Sequence, residues 1–161
     1  MIVQRFKEFP IFLKIMVVLC CIGLVGFLQK SVVHFADPNK SALLIFGTHA
    51  PGWPSFALRL LYAALISAFL FGLFKKRLYG YFAIQTYVVL IGINSIATLI
   101  GIFLRPAYFS DYFAAKAAQI TNIETNMGNL VYYSTLGSAI GMILISAWLI
   151  TAFKKRKEHF Q

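Results

Sequence analysis

The chain has 161 residues, of which 60% are hydrophobic and 12% charged, and carries a formal net charge of +10. Its mean hydropathy is +0.76. A soluble chain of this length has too small an interior to hide so much apolar surface. Composition therefore excludes a soluble enzyme, a DNA-binding domain, a disulfide-rich secreted module and a disordered tail. It leaves an all-α integral membrane protein, read here as a four-transmembrane-helix bundle.

A spanning helix needs about 20 mostly apolar residues, because the hydrocarbon layer is about 30 Å thick and each residue rises 1.5 Å. Four stretches qualify, at about 11–28, 56–74, 81–104 and 130–153. They form a single domain over 1–161. Pro10 suits the entry to the first span, and Arg105-Pro106 stops the third. The first span has the basic start of a signal sequence. It lacks the small residues of a cleavage site, since His34 precedes Ala36 by two positions, and it is expected to stay as an anchor. A lipoprotein site at Leu19-Cys20 fails for the same lack of a small residue.

Between the first two spans, Asp37, Pro38 and Gly47 have the chemistry of an N-cap, a first helical residue and a stop. Residues 38–46 are therefore expected to form a short interfacial helix, followed by a rigid turn over 48–55. In the second outer loop, Ser110 or Asp111 is expected to cap a helix over 112–119. Trp53, Tyr108, Tyr112, Tyr132 and Tyr133 fall at one membrane boundary and Tyr79 and Tyr81 at the other, as aromatic belts do.

Charge sets the orientation. Arg5, Lys7, Lys14, Lys75, Lys76, Arg77, Lys154, Lys155, Arg156 and Lys157 lie on one side with Glu8 and Glu158, giving 10 − 2 = +8. Lys30, Lys40, Arg59, Arg105 and Lys116 lie on the other with Asp37, Asp111 and Glu124, giving 5 − 3 = +2. The positive-inside rule puts both termini in the cytoplasm, with a bacterial inner membrane as the expected location. This basic balance needs no nucleic acid to explain it. Its other partner is the bilayer itself, through anionic headgroups near the Lys-Lys-Arg-Lys tail.

The chain also resembles itself. Residues 64–77 and 143–156 share nine of fourteen positions, including Leu-Ile-Ser-Ala and Phe-Lys-Lys-Arg. Phe35-Ala36-Asp37 is echoed by Phe109-Ser110-Asp111. A duplicated hairpin is the natural reading, with halves 1–77 and 78–156 related about the membrane normal.

The spans hold little chemistry. All five acidic residues and all three histidines lie in termini or outer loops, so the intramembrane carboxylate or imidazole of a proton-coupled pump is missing. The familiar small multidrug transporters carry a first-span Glu, and this chain has none there. Cys20 and Cys21 are adjacent, about 100° apart on a helix, and lack the spacing of thiol-oxidising membrane enzymes. His34, Asp37, His49, Asp111 and Glu124 show no metal-ligand spacing. No cofactor, metal or catalytic residue is called for. Asn39-Lys40-Ser41 fits a glycosylation sequon, which matters only in a eukaryotic secretory pathway.

What remains is packing chemistry. Asn94, Thr98, Gly101 and Arg105 share one face of the third span. Ser134, Gly137, Ser138 and Gly141 give the fourth span two small-xxx-small motifs that permit close helix contact, and Asn94 is expected to hydrogen-bond across such a contact. Arg59 and Arg105 are expected to meet lipid phosphate or another anion at the outer boundary. The expected function is that of a non-catalytic accessory or scaffolding subunit, working through helix and loop contacts with a membrane partner or a second copy. The alternative is a small transporter or lipid-handling protein using a groove near Asn94. A lipid-acting enzyme using Arg59, Arg105 and His49 comes last.

Overall fold

The computed structural model describes residues 2–36, 43–109, 111–112 and 127–160. Among them the chain is almost entirely helical. Helix α1 (Ile2–Glu8) leads into α2 (Ile11–Ala36), followed by strands β1 (Leu43–Ile45) and β2 (Thr48–Ala50). Helices α3 (Trp53–Phe74), α4 (Leu78–Leu104) and α5 (Met127–Lys154) come next, then a 3₁₀ turn over Lys157–Phe160. Four segments are long and apolar enough to cross a membrane: Ile11–Ala36, Trp53–Phe74, Leu78–Leu104 and Tyr132–Lys154.

Three of these helices outrun the expected spans at one end: α2 continues to Ala36, α3 starts at Trp53 and α4 starts at Leu78. At 1.5 Å per residue, the 26 residues of α2 measure about 39 Å, longer than a hydrocarbon layer of about 30 Å. The minimum span is a lower bound on the helix, because polar ends continue into the headgroup region. His34 consequently sits in the last turn of α2 and not in a loop.

Two compact units emerge. The first comprises Met1–Leu43, Ala50–Val89 and Leu149–Gln161. Its core is built at helical spacing: Leu13, Val17 and Cys20 on α2, Ile66, Phe69 and Leu73 on α3, and Ile84 and Val88 on α4. The opposite face of α2, with Ile11, Ile15, Val18, Ile22, Val25 and Leu28, is exposed. Phe9, Phe153 and Phe160 complete the core. Phe160 lies 6.1 Å from Phe69 and 5.9 Å from Tyr81 between ring centroids. The cations around this core bind backbone and rings. Arg5 donates to the terminal carbonyl of α3 at Phe74, where a positive charge meets the helix dipole. Lys14 donates to the Lys7 carbonyl at 2.8 Å, and the Arg156 guanidinium covers the Phe12 ring at 4.4 Å.

The α3–α4 turn is tight because two glycines meet in it. A Cβ on Gly72 would lie 2.3 Å from the Gly80 Cα. Lys76 takes a left-handed φ of 49°, while Lys76 N–H donates to Leu73 and Arg77 N–H to Gly72. That pattern is a Schellman motif, with lysine where glycine usually sits.

The second unit comprises Leu44–His49 and Leu90–Trp148. Ile102 and Phe109 are buried against Leu44, Tyr112, Tyr132 and Leu136. Burial, with Tyr108 adding to it, pushes the Tyr112 phenol above the usual tyrosine range. Here α4 approaches α5 at Gly92, where an added Cβ would lie 3.3 Å from that of Ser146.

Two loop expectations are corrected. Residues 43–50 form a β-hairpin, not the end of a helix over 38–46; residues 38–42 lie outside the described set. Phe46 and Gly47 both have positive φ, 48° and 74°, as a type I′ hairpin turn requires. Residues 106–109 and 111–112 are helical, so Asp111 is itself helical and is not the cap of a helix starting at Tyr112; Ser110 and 113–119 lie outside the described residues. Sequence analysis also missed α1, whose seven residues are too few for a clear periodic signal.

Candidate functional site

The hairpin and the polar side chains that hold it form the most specific constellation among the described residues. An isolated two-stranded hairpin leaves its outward backbone groups unpaired, and these must be satisfied wherever water is scarce. Asn94 supplies one side. Its Oδ1 accepts from the Phe46 N–H at 2.8 Å, and its Nδ2 donates to the Leu44 carbonyl at 3.1 Å. One carboxamide thus bridges Leu44 on β1 and Phe46 in the turn, as a peptide group of a third strand would.

The hairpin tip also needs Gly47. A Cβ there would come within 2.7 Å of the Ala97 carbonyl, and one on Gly101 within 3.3 Å of the Gly47 Cα. Thr98 is buried on the same helix. At the open end of the hairpin, the Ser55 hydroxyl accepts from the Leu43 N–H at 2.8 Å and donates to the Ala50 carbonyl. Ser55 therefore closes the last rung of the ladder. Within the turn, Thr48 donates to the Ile45 carbonyl at 2.8 Å.

The small residues of α5 are placed differently. Ser134, Gly137 and Ser138 are exposed. A Cβ added at Gly137 or Gly141 meets no described atom within 4 Å. Ser138 donates back to the Thr135 carbonyl at 2.9 Å. Among the described residues the motif is thus open, and the α4–α5 approach runs through Gly92 and Ser146. A second α4–α5 tie joins Gln85 Nε2 to the Ile150 carbonyl at 3.3 Å.

The two outer arginines fall in separate units and separate surroundings. Arg105 is exposed just past the end of α4. Arg59 is 3% exposed, and its Nη1 donates to the Lys30 carbonyl on α2 at 3.4 Å. One turn before Arg59 on α3, the Phe56 ring stacks on that of His34 at 5.2 Å, with Trp53 edge-on to His34 at 6.3 Å. Cys20 is buried and Cys21 exposed, as their angular separation requires.

No group of three or more metal-ligating side chains converges among the described residues. Asp37, Lys40, Lys116 and Glu124 lie outside them. Sequence reasoning picked out Asn94 and Gly101 but missed Ser55 and Gly47 as their counterparts. The signal for both was present in the Gly47 and Ser55 that flank a Pro/Gly-rich turn. Comparison with protein-family models, with curated proteins and with solved structures finds no match to this chain.

Proposed function

We propose that the protein is a non-catalytic integral membrane protein, an accessory or scaffolding subunit that seats a partner transmembrane helix on α5. The supporting observation is the open small-residue face of Ser134, Gly137, Ser138 and Gly141, with no described atom within 4 Å of a Cβ at either glycine. In lipid, helices associate by close backbone approach and not by the hydrophobic effect, so an unfilled small-xxx-small face is where a second helix packs best. On α2, Gly26 also meets nothing within 4 Å, but it has no small residue four positions away, and the exposed apolar side chains of α2, α3 and α4 suit lipid.

The four spans then form a bundle in a bacterial inner membrane, with both termini and Lys75–Arg77 cytoplasmic. The hairpin at 43–50 belongs to the outer half, packed on α4 and relieved of its backbone polarity by Asn94. The groove reading needs that amide for a ligand, whereas the amide is engaged at both its oxygen and its nitrogen. The duplication keeps its support in sequence, although matched residues differ in surroundings: Ile66 is 1% exposed and Ile145 48%.

Native mass spectrometry of protein gently extracted from its own membrane tests the subunit reading. The expected result is a stoichiometric companion, a different membrane protein or a second copy, that Gly137→Leu releases while the chain stays folded. A monomer in the mildest detergents, or a companion retained by Gly137→Leu, overturns it.

A further inference from the structure

We propose that Arg59 is a phosphate site at the outer membrane boundary, built to take the phosphodiester of a phospholipid headgroup. The inference rests on the membrane placement above but not on the partner subunit.

The first ground is an unmet demand. A guanidinium carries five N–H donors in a planar fork. In this structure Arg59 is 3% exposed, yet among the described residues its hydrogen bond is a single long one, 3.4 Å to the Lys30 carbonyl. No carboxylate among the described residues pairs with it; the ion pair found there joins His159 to Glu158. A cation so enclosed is costly unless an anion and further hydrogen bonds meet it. The enclosure is also incomplete where it matters. Among the described residues no fully buried side-chain nitrogen lacks a partner. The guanidinium nitrogens that Lys30 leaves unbonded therefore still open to the outside.

The second ground is depth. A hydrocarbon layer of about 30 Å takes about 20 residues at 1.5 Å each, which counted from Ile11 ends at Lys30. The carbonyl that Arg59 touches is thus at the edge of the hydrocarbon, where headgroup phosphates begin. Arg59 itself is the seventh residue of α3, and helical side chains lean toward the N-terminus, here the outer end. Trp53 and Phe35, 70% and 71% exposed, mark the same end with interfacial aromatics.

The chemistry then selects the ligand. A planar fork meets two oxygens of one phosphate in a bidentate pair, stronger and more specific than the point charge of a lysine. An enclosed guanidinium admits the phosphate of a chain-anchored lipid without drawing in a large hydrated ion. A phospholipid headgroup and free inorganic phosphate share this chemistry.

The test uses the purified full chain, delipidated in detergent, and reads the thermal midpoint. Phosphatidylglycerol in mixed micelles, inorganic phosphate at matched ionic strength, and neither are compared for wild type, Arg59→Lys, Arg59→Gln and Asp37→Asn. The expected result is a lipid-dependent rise in wild type and Asp37→Asn, with apparent affinity reduced about tenfold in Arg59→Lys and no rise in Arg59→Gln. A rise with inorganic phosphate alone supports the anion site and assigns it to a free ion. Absence of any rise in wild type overturns the proposal whether or not the variants fold. So does an equal rise in Arg59→Gln, or a rise that appears only in Asp37→Asn, which would make Asp37 the natural counter-ion. Gly137→Leu is expected to show the wild-type rise, which separates this outcome from failure of the subunit reading.

Discussion

Two glycine pairs teach opposite lessons. Gly72 and Gly80 face each other across the α3–α4 turn so closely that either Cβ would collide with backbone. Gly137 and Gly141, in a motif known for close packing, meet no described atom at the same position. The first pair is consumed in building the chain; the second takes no part in a close approach among the described residues. A small residue in a membrane helix therefore reports that a close approach is possible, and the structure says whether the approach happens within the molecule.

Breaking the filled pair gives the largest effect. Gly72→Ala places a methyl 2.3 Å from the Gly80 Cα, contact with backbone that no rotamer change relieves. A destabilisation of about 3 kcal/mol is expected, read as a fall in thermal midpoint and loss of monodisperse protein in detergent. A midpoint within experimental error of wild type would mean that the turn does not hold these helices together.

The hairpin gives the intermediate case. Asn94→Leu removes the partner of the Phe46 N–H and the Leu44 carbonyl, at a cost of about 1–3 kcal/mol per group left unsatisfied away from water. The loss is expected to be local. Hydrogen exchange in vesicles should accelerate over 44–48 while α2 and α3 stay protected. Unchanged exchange at Phe46 would show that the carboxamide does not carry the hairpin.

The open pair gives the smallest effect. Gly137→Leu should change stability of the isolated chain by no more than about 0.5 kcal/mol, because the new side chain meets no described atom near its Cβ and leucine favours helix over glycine. A large loss would place a neighbour against Gly137 and remove the contrast with Gly72.

The sequence made the four long helices legible because their length and apolar composition leave the backbone no other option in lipid. It made Asn94 legible as a polar group in need of a partner, and the residues of the two glycine-rich faces legible as sites of approach. The partner of each was not readable. Gly47 shows why. A helix C-cap and a type I′ turn both ask for positive φ at glycine, so the same residue serves either, and Phe46 lacks the Asn or Asp that announces a hairpin. The choice was made by tertiary contacts, Asn94 to β1 and Gly47 to α4, between residues about fifty apart in the chain. Burial of Arg59 was likewise invisible, since it depends on how α2 lies along α3.

Phe160 has a consequence for biogenesis. It is fully buried in the same core as Phe9, Phe69 and Ile84, so that core includes residues from both extremes of the numbered chain. During synthesis, Ile84 leaves the ribosome 76 residues ahead of Phe160. At about 5–20 residues per second that is roughly 4–15 s. Throughout the interval the phenylalanines of α2 and α3 in this core stand with their seal missing. The nascent chain must shelter this surface in the insertion machinery or the lipid, and a ribosome stall within α5 would expose it to the quality-control proteases of the membrane.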